Sequence, residues 1–443
     1  MRTFHSFLCI ILLSSLLCGC SEKAPKLYLI EENGLYGFID SLGNKVIDPK
    51  YLFATPFSDD VALVVTDTIG GFNITVNYHY INCREKVIGK NNYIARLGGL
   101  SFKYGDKISL LSRFSYSGGR ALFQSRDTST KGLILEKYGY IDKKGCVVIP
   151  CEYNDGGLFH DGKAMVQESI DHSLERITNT GESLDILQKN YLKWQVIDDG
   201  GNAMTDFIFD KKSAFDKGRC VAEISTSSDI KGFQSIIYVL LNENADIICT
   251  FSTGGARKYS DGVIIEEVGP LAMLGSSSEF YDRDGNKIRS FSDLYPSEQK
   301  IISQSPAFLT SLPEIIISFA KGFSEGLCVC TTGDKDSRNW FFVDVYKNLY
   351  GNATNDLFAF EDALLFSSGL AAIKKDGKWG YVDHNFDLII PCQYDSASSF
   401  NGDLAMVENN MPDLTIRSYI NKTGKPVWQQ VQYHNPAYEP NQK

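Results

Sequence analysis

The stretch Asp376-Gly377-Lys378-Trp379-Gly380-Tyr381-Val382-Asp383 decides the fold. It runs on through His384-Asn385-Phe386-Asp387-Leu388-Ile389-Ile390-Pro391-Cys392-Gln393-Tyr394. The same order of residue types stands at Lys137-Tyr138-Gly139-Tyr140-Ile141-Asp142, followed by Gly145, Val147-Val148-Ile149-Pro150 and Tyr153. A third copy runs Asn33-Gly34-Leu35-Tyr36-Gly37-Phe38-Ile39-Asp40, then Gly43, Val46-Ile47, Pro49 and Tyr51. One template covers all three: aromatic-Gly-aromatic-aliphatic-Asp, a turn, an aliphatic run ending at or near Pro, then Tyr. Self-similarity of this kind is the signature of a repeat architecture.

The physics of one unit follows from its residues. Aromatic and aliphatic side chains alternate at period two, which is strand patterning. Asp383 and its equivalents cap a tight turn, because a carboxylate accepts from nearby backbone N–H groups and Gly takes the positive φ. Val147-Val148-Ile149 reads as a buried strand whose ladder pairing ends at Pro150. The Gly after the first aromatic lets a neighbouring strand or ring approach closely. The aromatics themselves are expected to serve packing between units rather than to form a sugar platform.

A second signature follows each head. Phe159-His160-Asp161-Gly162-Lys163-Ala164-Met165-Val166 matches Phe400-Asn401-Gly402-Asp403-Leu404-Ala405-Met406-Val407. Related tails stand at 114–123, 215–221, 259–265, 323–329 and 366–373. Weaker heads stand at 78–82, 176–179, 238–242, 280–284, 341–344 and 419–421. A Gly turn followed by Ala-x-Val starts a further strand. Each unit is thus a three-stranded antiparallel meander, with a short fourth strand expected around Tyr153 or Tyr394. Such a unit must stack on neighbours to bury its faces.

These residues resemble the WG-repeat (KWG) family, best in Trp379-Gly380 and as Tyr-Gly at Tyr36-Gly37 and Tyr138-Gly139. The resemblance covers most of the chain after the N-terminal segment, in about nine units. It implies a β-rich repeat module frequent in bacterial exported proteins, and it implies no particular reaction.

The N-terminus carries an address. Arg2 precedes an apolar run from Phe7 to Leu17, too short to span a bilayer, which takes about 20 apolar residues. It suits a signal-peptide core. Leu17-Cys18-Gly19-Cys20 resembles the bacterial lipobox, with Cys20 as the lipid acceptor. Residues 1–19 are therefore expected to be a lipoprotein signal peptide and 20–26 a lipidated cysteine with a short tether. Residues 27–443 form the repeat domain, with irregular insertions near 183–212 and 295–320. The first insertion is expected to hold a short helix. Localisation follows: exported and lipid-anchored in the cell envelope, at the outer membrane.

Among 443 residues, 43% are hydrophobic and 22% charged, an ordinary globular balance. The net charge of −10 argues against a nucleic-acid partner, which needs a basic face. Eight cysteines lie beyond the N-terminal segment, with no C-x-x-C pair. Cys328-Val329-Cys330 puts two thiols on one strand face. Cys151 and Cys392 fill one repeat slot and read as small buried hydrophobes.

Chemistry is sparse. There is no Gly-x-Ser-x-Gly elbow, phosphate loop or His-Glu-x-x-His. His79, His160, His172, His384 and His434 do not pair at metal spacing, and His160 and His384 fall in turns. Asp40, Asp142 and Asp383 share one turn slot, so they read as turn formers rather than glycosidase acids. Asp282-Arg283-Asp284-Gly285-Asn286 reads as a turn, lacking the later ligands of a calcium loop. No catalytic, cofactor-binding or metal residue is assigned.

The expected fold is all-β, with tandem three- to four-stranded antiparallel units. A closed propeller-like array is preferred because closure removes strand edges, and an open curved array is the alternative. Lys26 to Ile30 matches only a late part of the unit, and Tyr419 to Trp428 is a head with no tail. The two ends are thus expected to complete one sheet together. The expected function is a non-catalytic, membrane-anchored binding scaffold with a protein or glycan partner. Its rival is an exported propeller-type glycan-active enzyme.

Overall fold

The computed structural model describes residues 25–69, 74–97, 111–127, 135–170, 174–177, 183–186, 191–227, 234–251, 255–268, 278–288, 297, 300, 319–331, 340–351 and 359–434. Among the described residues there are ten antiparallel sheets, nine that follow one another along the chain and a two-stranded hairpin within the fourth unit. The first holds β1 (Tyr28–Glu32), β2 (Leu35–Ile39) and β3 (Lys45–Tyr51). The second holds β4 (Phe53–Ala54), β5 (Val61–Ile69), β6 (Ile74–Asn82) and β7 (Val87–Leu97). The third holds β8 (Arg120–Asp127), β9 (Leu135–Asp142) and β10 (Val147–Tyr153). The fourth holds β11 (Asp155–Gly156), β12 (Lys163–Ile170) and β15 (Tyr191–Asp198), with the hairpin β13 (Leu174–Ile177) and β14 (Ser183–Ile186) nested between the last two. The fifth holds β16 (Cys220–Ser227), β17 (Gln234–Leu241) and β18 (Ile247–Phe251). The sixth holds β19 (Gly255–Ser260), β20 (Val263–Val268) and β21 (Ser278–Tyr281). The seventh holds β22 (Phe319–Ser324), β23 (Leu327–Thr331), β24 (Trp340–Val343) and β25 (Leu349–Tyr350). The eighth holds β26 (Asp362–Ala363), β27 (Ala371–Lys375), β28 (Lys378–Val382) and β29 (Leu388–Tyr394). The ninth holds β30 (Ser396–Ala397), β31 (Leu404–Asn410), β32 (Leu414–Asn421) and β33 (Pro426–Tyr433).

The head glycine has a geometric cause. A Cβ on Gly380 would stand 2.5 Å from the Ile390 carbonyl oxygen and 2.7 Å from the Cys392 nitrogen. The third strand bulges here: its pairing slips between Tyr381↔Ile390 and Trp379↔Tyr394, around Pro391. The bulge presses its backbone onto the head strand, and only Gly leaves room. Gly37 and Gly139 meet the Pro49 and Pro150 bulges in the same way. The expected close approach is therefore made by a strand. Proline does not end the pairing, however, because β10 and β29 resume after the bulge at Tyr153 and Tyr394.

The Asp turn recurs once in each of the nine successive sheets. Oδ1 of Asp142 accepts from the N–H groups of Lys144 and Cys146, and Asp383 does the same with Asn385 and Asp387. Asp40, Asp198, Asp282 and Asp344 make the identical pair of bonds, as do Asn82, Asn242 and Asn421. This is the Asx turn the sequence calls for, and it also accounts for 282–286. Seven of the tail strands, β1 and β31 excepted, are entered through a two-residue turn of the kind seen at Asp161 and Gly162, with φ of 50° and 72°. His160 and Lys163 pair across it. Two successive positive φ values define a type I′ turn.

Successive tail residues point to opposite faces and meet different neighbours. Ala371 and Ile373 pack on the seventh sheet, and Ala372 packs on the ninth. Cys328 and Cys330 face the sixth sheet while Leu327 and Val329 face the eighth, so the two thiols do share one strand face. Apolar clusters join the sheets in sequence from the first to the ninth. A further cluster joins the ninth to the first: Leu404 and Trp428 pack on Tyr28, Ile30 and Ile39.

Three expectations are corrected. The two chain ends do not share a sheet: β33 completes the ninth by itself and β1 lies in the first. The short strand after Tyr153 or Tyr394 belongs to the following sheet, where β11 and β30 pair with the tail strands β12 and β31. The stretch 183–212 shows no helix among its described residues: it holds β14, then β15, which pairs with β12 along eight positions from Ile170↔Tyr191 to Lys163↔Asp198, then turns and bridges over 199–212. β15 is the head of the fourth sheet, whereas 176–179, read as a head, extends into the nested hairpin. The stretch 295–320 lies almost wholly outside the described residues, as do Cys20 and the rest of the N-terminal segment.

Candidate functional site at the junction of the last and first sheets

Two polar side chains recur at the sheet-to-sheet junctions. The lysine five residues before the turn Asp holds the link to the next sheet. Lys378 bonds Asp395, Lys193 bonds Asp210, and Lys137 bonds Asn154, each partner following the Tyr or Phe that closes the unit. Lys193 is 2% exposed, and this pair explains how it is buried. The second recurring group is the tyrosine two residues before the turn. The hydroxyls of Tyr80, Tyr140 and Tyr381 donate to the carbonyls of Phe114, Gly157 and Ser398, all in the next unit. Each of these acceptors lies two residues before the aromatic that opens the two-residue turn: Tyr116, Phe159 and Phe400. Those aromatics meet Tyr80, Tyr140 and Tyr381 edge-on at 4.8, 4.8 and 4.9 Å.

Tyr419 occupies the same slot in the ninth sheet, and its hydroxyl crosses to the first. There it donates to the Leu29 carbonyl in β1 at 2.8 Å. Burial pushes the Tyr419 pKa up to about 12, with the nearby Tyr28 adding to the shift. Trp428 Nε1 donates to Glu32 at 3.2 Å, the Asp403 N–H donates to the Tyr28 hydroxyl at 3.1 Å, and Lys26 donates to Asn401 at 2.6 Å.

Among the described residues, and apart from β16 of the fifth sheet, two tail strands, β1 of the first sheet and β8 of the third, have no strand along the outer edge. In the second, fourth, sixth, seventh, eighth and ninth sheets a strand pairs along the outer edge of the tail strand. In the fifth, the Asp210 N–H donates to the Glu223 carbonyl on that edge. Along β1, no strand stands on this edge among the described residues. A groove of about 900 Å3 lies there instead. Its walls include Leu29 and Glu31 of β1, Phe57 and Asp60 of the second unit, and Met406 and Arg417 of the ninth sheet. Arg417 Nε is 2.8 Å from Glu408, and its Nη1 is 4.0 Å from Glu31. The groove thus offers apolar walls, an open strand edge and carboxylates already drawn to one guanidinium.

The other candidate residues are dispersed. His384 follows the turn Asp383, stacks on Phe366 at 4.2 Å and lies 3.2 Å from Glu325. Burial lowers the His79 pKa. His172 lies outside the described residues. Among the described residues no three His, Cys, Asp or Glu stand close enough to hold a metal ion. All eight cysteines there are free thiols. Cys151 and Cys392 are half-buried rather than buried, and burial pushes the Cys151 thiol up to about 12.

One head escaped the sequence reading. Lys193-Trp194-Gln195-Val196-Ile197-Asp198 repeats the spacing of Lys378-Trp379-Gly380-Tyr381-Val382-Asp383, with Gln in place of Gly. The Lys-Trp pair five residues before an Asp was the available signal. The segment that follows meets β15 only at isolated bridges, Ile197↔Ala203 and Trp194↔Phe209, and between them the Gln195 side chain donates to the Thr205 carbonyl.

These sheets define an all-β repeat protein of three- and four-stranded antiparallel units. The chain carries the WG-containing repeat at four places, residues 36–67, 138–169, 358–379 and 379–410. Three of these matches run from a head strand into the next sheet's tail, so the sequence repeat straddles the junction. No curated protein matches the chain. Solved structures similar to it include TolB from Acinetobacter baumannii (12% identity, 82% of this chain and 77% of that one, TM-score 0.24). The β-propeller domain of the Trilobed protease from Pyrococcus furiosus is 9% identical over 88% of this chain and 99% of that one, with a TM-score of 0.33. The acylaminoacyl peptidase of Pyrococcus horikoshii is 11% identical over 83% of this chain and 57% of that one, with a TM-score of 0.32.

Proposed function

We propose that this chain is a non-catalytic binding scaffold, lipid-anchored through Cys20 in the cell envelope at the outer membrane. Its nine sheets close into a propeller-like ring at the Tyr419–Leu29 junction, and its ligand site is the groove beside β1. The observation that carries this reading is the unpaired β1 edge inside that groove. Elsewhere the repeat spends its polar groups on its own turns and junctions. The cluster joining the ninth sheet to the first supports closure. Pro25 and Lys26 lie at the groove, so a tether from Cys20 would hold the groove close to the membrane surface.

A glycan-active enzyme is the second reading, favoured by Glu31 and Glu408 lying in one groove. Glycoside hydrolysis needs one carboxyl to carry a proton while the other stays ionised. Arg417 pairs with Glu408 at 2.8 Å and stands 4.0 Å from Glu31, so both carboxylates are turned to one guanidinium, which favours the scaffold. The test is a glycan and peptide array probed with the chain from Glu22 onward, beside a polysaccharide turnover assay. Binding lost in Arg417→Ala, with no turnover, supports the scaffold. Turnover lost in Glu31→Gln or Glu408→Gln establishes the enzyme. Fatty-acid labelling that is equal in the full chain and in Cys20→Ser removes the anchor from the proposal.

A further inference from the structure

We infer that the free edge of β1 takes an extended peptide strand from another protein, one that carries an aromatic residue and a basic residue. The inference rests on the reading of the groove as a binding site and names what enters it.

The register identifies the vacant position. Leu29 pairs with Phe38 and Glu31 with Tyr36, two and four residues before the turn Asp40. In the second sheet Leu63 and Val65 pair with Tyr80 and Tyr78, two and four residues before Asn82. There the Leu63 carbonyl accepts from the Thr55 N–H and the Val65 carbonyl from the Leu52 N–H, both at 2.9 Å. The ninth sheet repeats this pattern with Ser398 donating to Met406 and Asp395 to Glu408. Leu29 and Glu31 therefore stand at the two acceptor positions of a short strand that no described residue supplies, and the Tyr419 hydroxyl takes one of the two lone pairs of the Leu29 carbonyl. That the Leu29 carbonyl faces the edge is plain from the Tyr419 bond it accepts.

The chain cannot deliver that strand the way it does elsewhere. The short strand reaches the tail edge through a two-residue turn of type I′ or II′, whose first central residue takes positive φ. At β1 these two positions are Pro25 and Lys26. Proline is held near a φ of about −65° and excludes that turn. Neither residue takes a positive φ here. Without that turn the edge is open to a strand from a second molecule, by strand addition.

The groove also states the chemistry of the occupant. Tyr80, Tyr140 and Tyr381 each meet an aromatic edge-on from the next unit, and the aromatic sits at the end of the short-strand segment. Tyr419 lacks that partner and turns instead to Tyr28 and Trp428, at 5.7 and 6.0 Å. An aromatic two residues beyond the strand would restore it. The groove lining carries Glu31, Asp59, Asp60 and Glu408 against Lys26 and Arg417, an acidic excess that favours a basic peptide.

The probe is a labelled peptide copying residues 51–57 followed by two lysines, titrated into the full chain by fluorescence anisotropy. Saturable binding is expected. N-methylation at the residues copying Leu52 and Thr55 removes the two donors and should weaken binding at least tenfold, as should replacing its terminal aromatic by alanine. Leu29→Pro, which removes an edge-facing N–H while β1 keeps its β2 partner, should also weaken it at least tenfold. Asp60→Asn, which keeps the turn, should weaken it severalfold in low salt and much less in high salt. Equal binding of the N-methylated and parent peptides overturns the inference, as does no binding of the parent at millimolar concentration. If array binding is then still lost in Arg417→Ala, the groove remains a binding site and only its peptide occupant is wrong. If array binding ignores every groove variant, both readings fall.

Discussion

The Tyr419 hydroxyl donates to the Leu29 carbonyl at 2.8 Å, joining residues 390 positions apart in the chain. It is the bond that Tyr80, Tyr140 and Tyr381 make between sequential units, shifted onto a tail strand because the first sheet presents no short strand there. The last unit thus reaches the first with the same side chain that three consecutive pairs use.

Tyr419→Phe keeps the ring and loses the bond. The expected loss is about 0.5–1.5 kcal/mol, the net worth of one hydrogen bond, plus the cost of any exposure of the Leu29 carbonyl. Urea unfolding at pH 7 measures it. A second readout is alkaline pH. The folded pKa of Tyr419 is about 12 against an ordinary 10, so its stabilisation is complete below pH 10 and declines as pH rises towards 12. The mutant should show a shallower decline over that window.

Tyr381→Ala should cost far more than Trp379→Ala, although Trp379 is the named residue of the motif. Tyr381 is fully buried and bonds Ser398, which places it in the range of about 3–5 kcal/mol. Trp379 is only half-buried against the same cluster, so about 1–2 kcal/mol is expected. Equal losses in thermal unfolding would mean that the Trp ring, too, is a core residue.

Gly380→Ala should destabilise by about 1–3 kcal/mol, since the added carbon meets backbone atoms that cannot rotate away. The change should be felt at the Pro391 bulge, and hydrogen exchange at Tyr394 would accelerate relative to strands in distant sheets.

The turn aspartates should respond to pH in opposite directions. Asp198 is held below its ordinary pKa first by the Asn202 side chain and then by backbone N–H groups. Its contribution is present above the usual carboxylate range and is lost as pH falls through the lowered value. Asp344 is pushed upward by burial, against the pull of Asn348 and Tyr346. Its contribution is largest below the ordinary carboxylate range and is lost as pH rises through the raised value. Asp344→Asn should therefore raise the melting temperature at pH 7, with the Asn348 amide turning to accept from the new side chain, whereas Asp198→Asn should lower it. Asn already makes this turn at positions 82, 242 and 421. A fall in both variants would show that the Asp344 charge is better satisfied than its burial implies.

Much of the unit was legible in the residues. Asp40, Asp142 and Asp383 announce turns because their bonds reach only two and four residues ahead. The head glycines announce a close approach, although which backbone approaches depends on the proline bulge of the third strand. The fourth head was hidden because Gln195 replaces the Gly that served as the marker. There the third segment touches the head strand only at isolated bridges on either side of Gln195, a fact about pairing rather than about local sequence.

The sequence by itself determined the repeat, the antiparallel pairing and the turns, because these rest on side-chain alternation and on hydrogen bonds between near neighbours. Tertiary structure alone decided the rest. It assigned the short strand after Tyr153 and Tyr394 to the following sheet, since Gly156 pairs with Val166 and Ala397 with Val407. It also set Trp428 and Leu404 against Tyr28 and Ile30, and so left the edge of β1 in a groove. No local pattern encodes that edge. A strand edge is open or closed according to which distant segment reaches it, and here the reach is set by the accumulated packing of nine sheets.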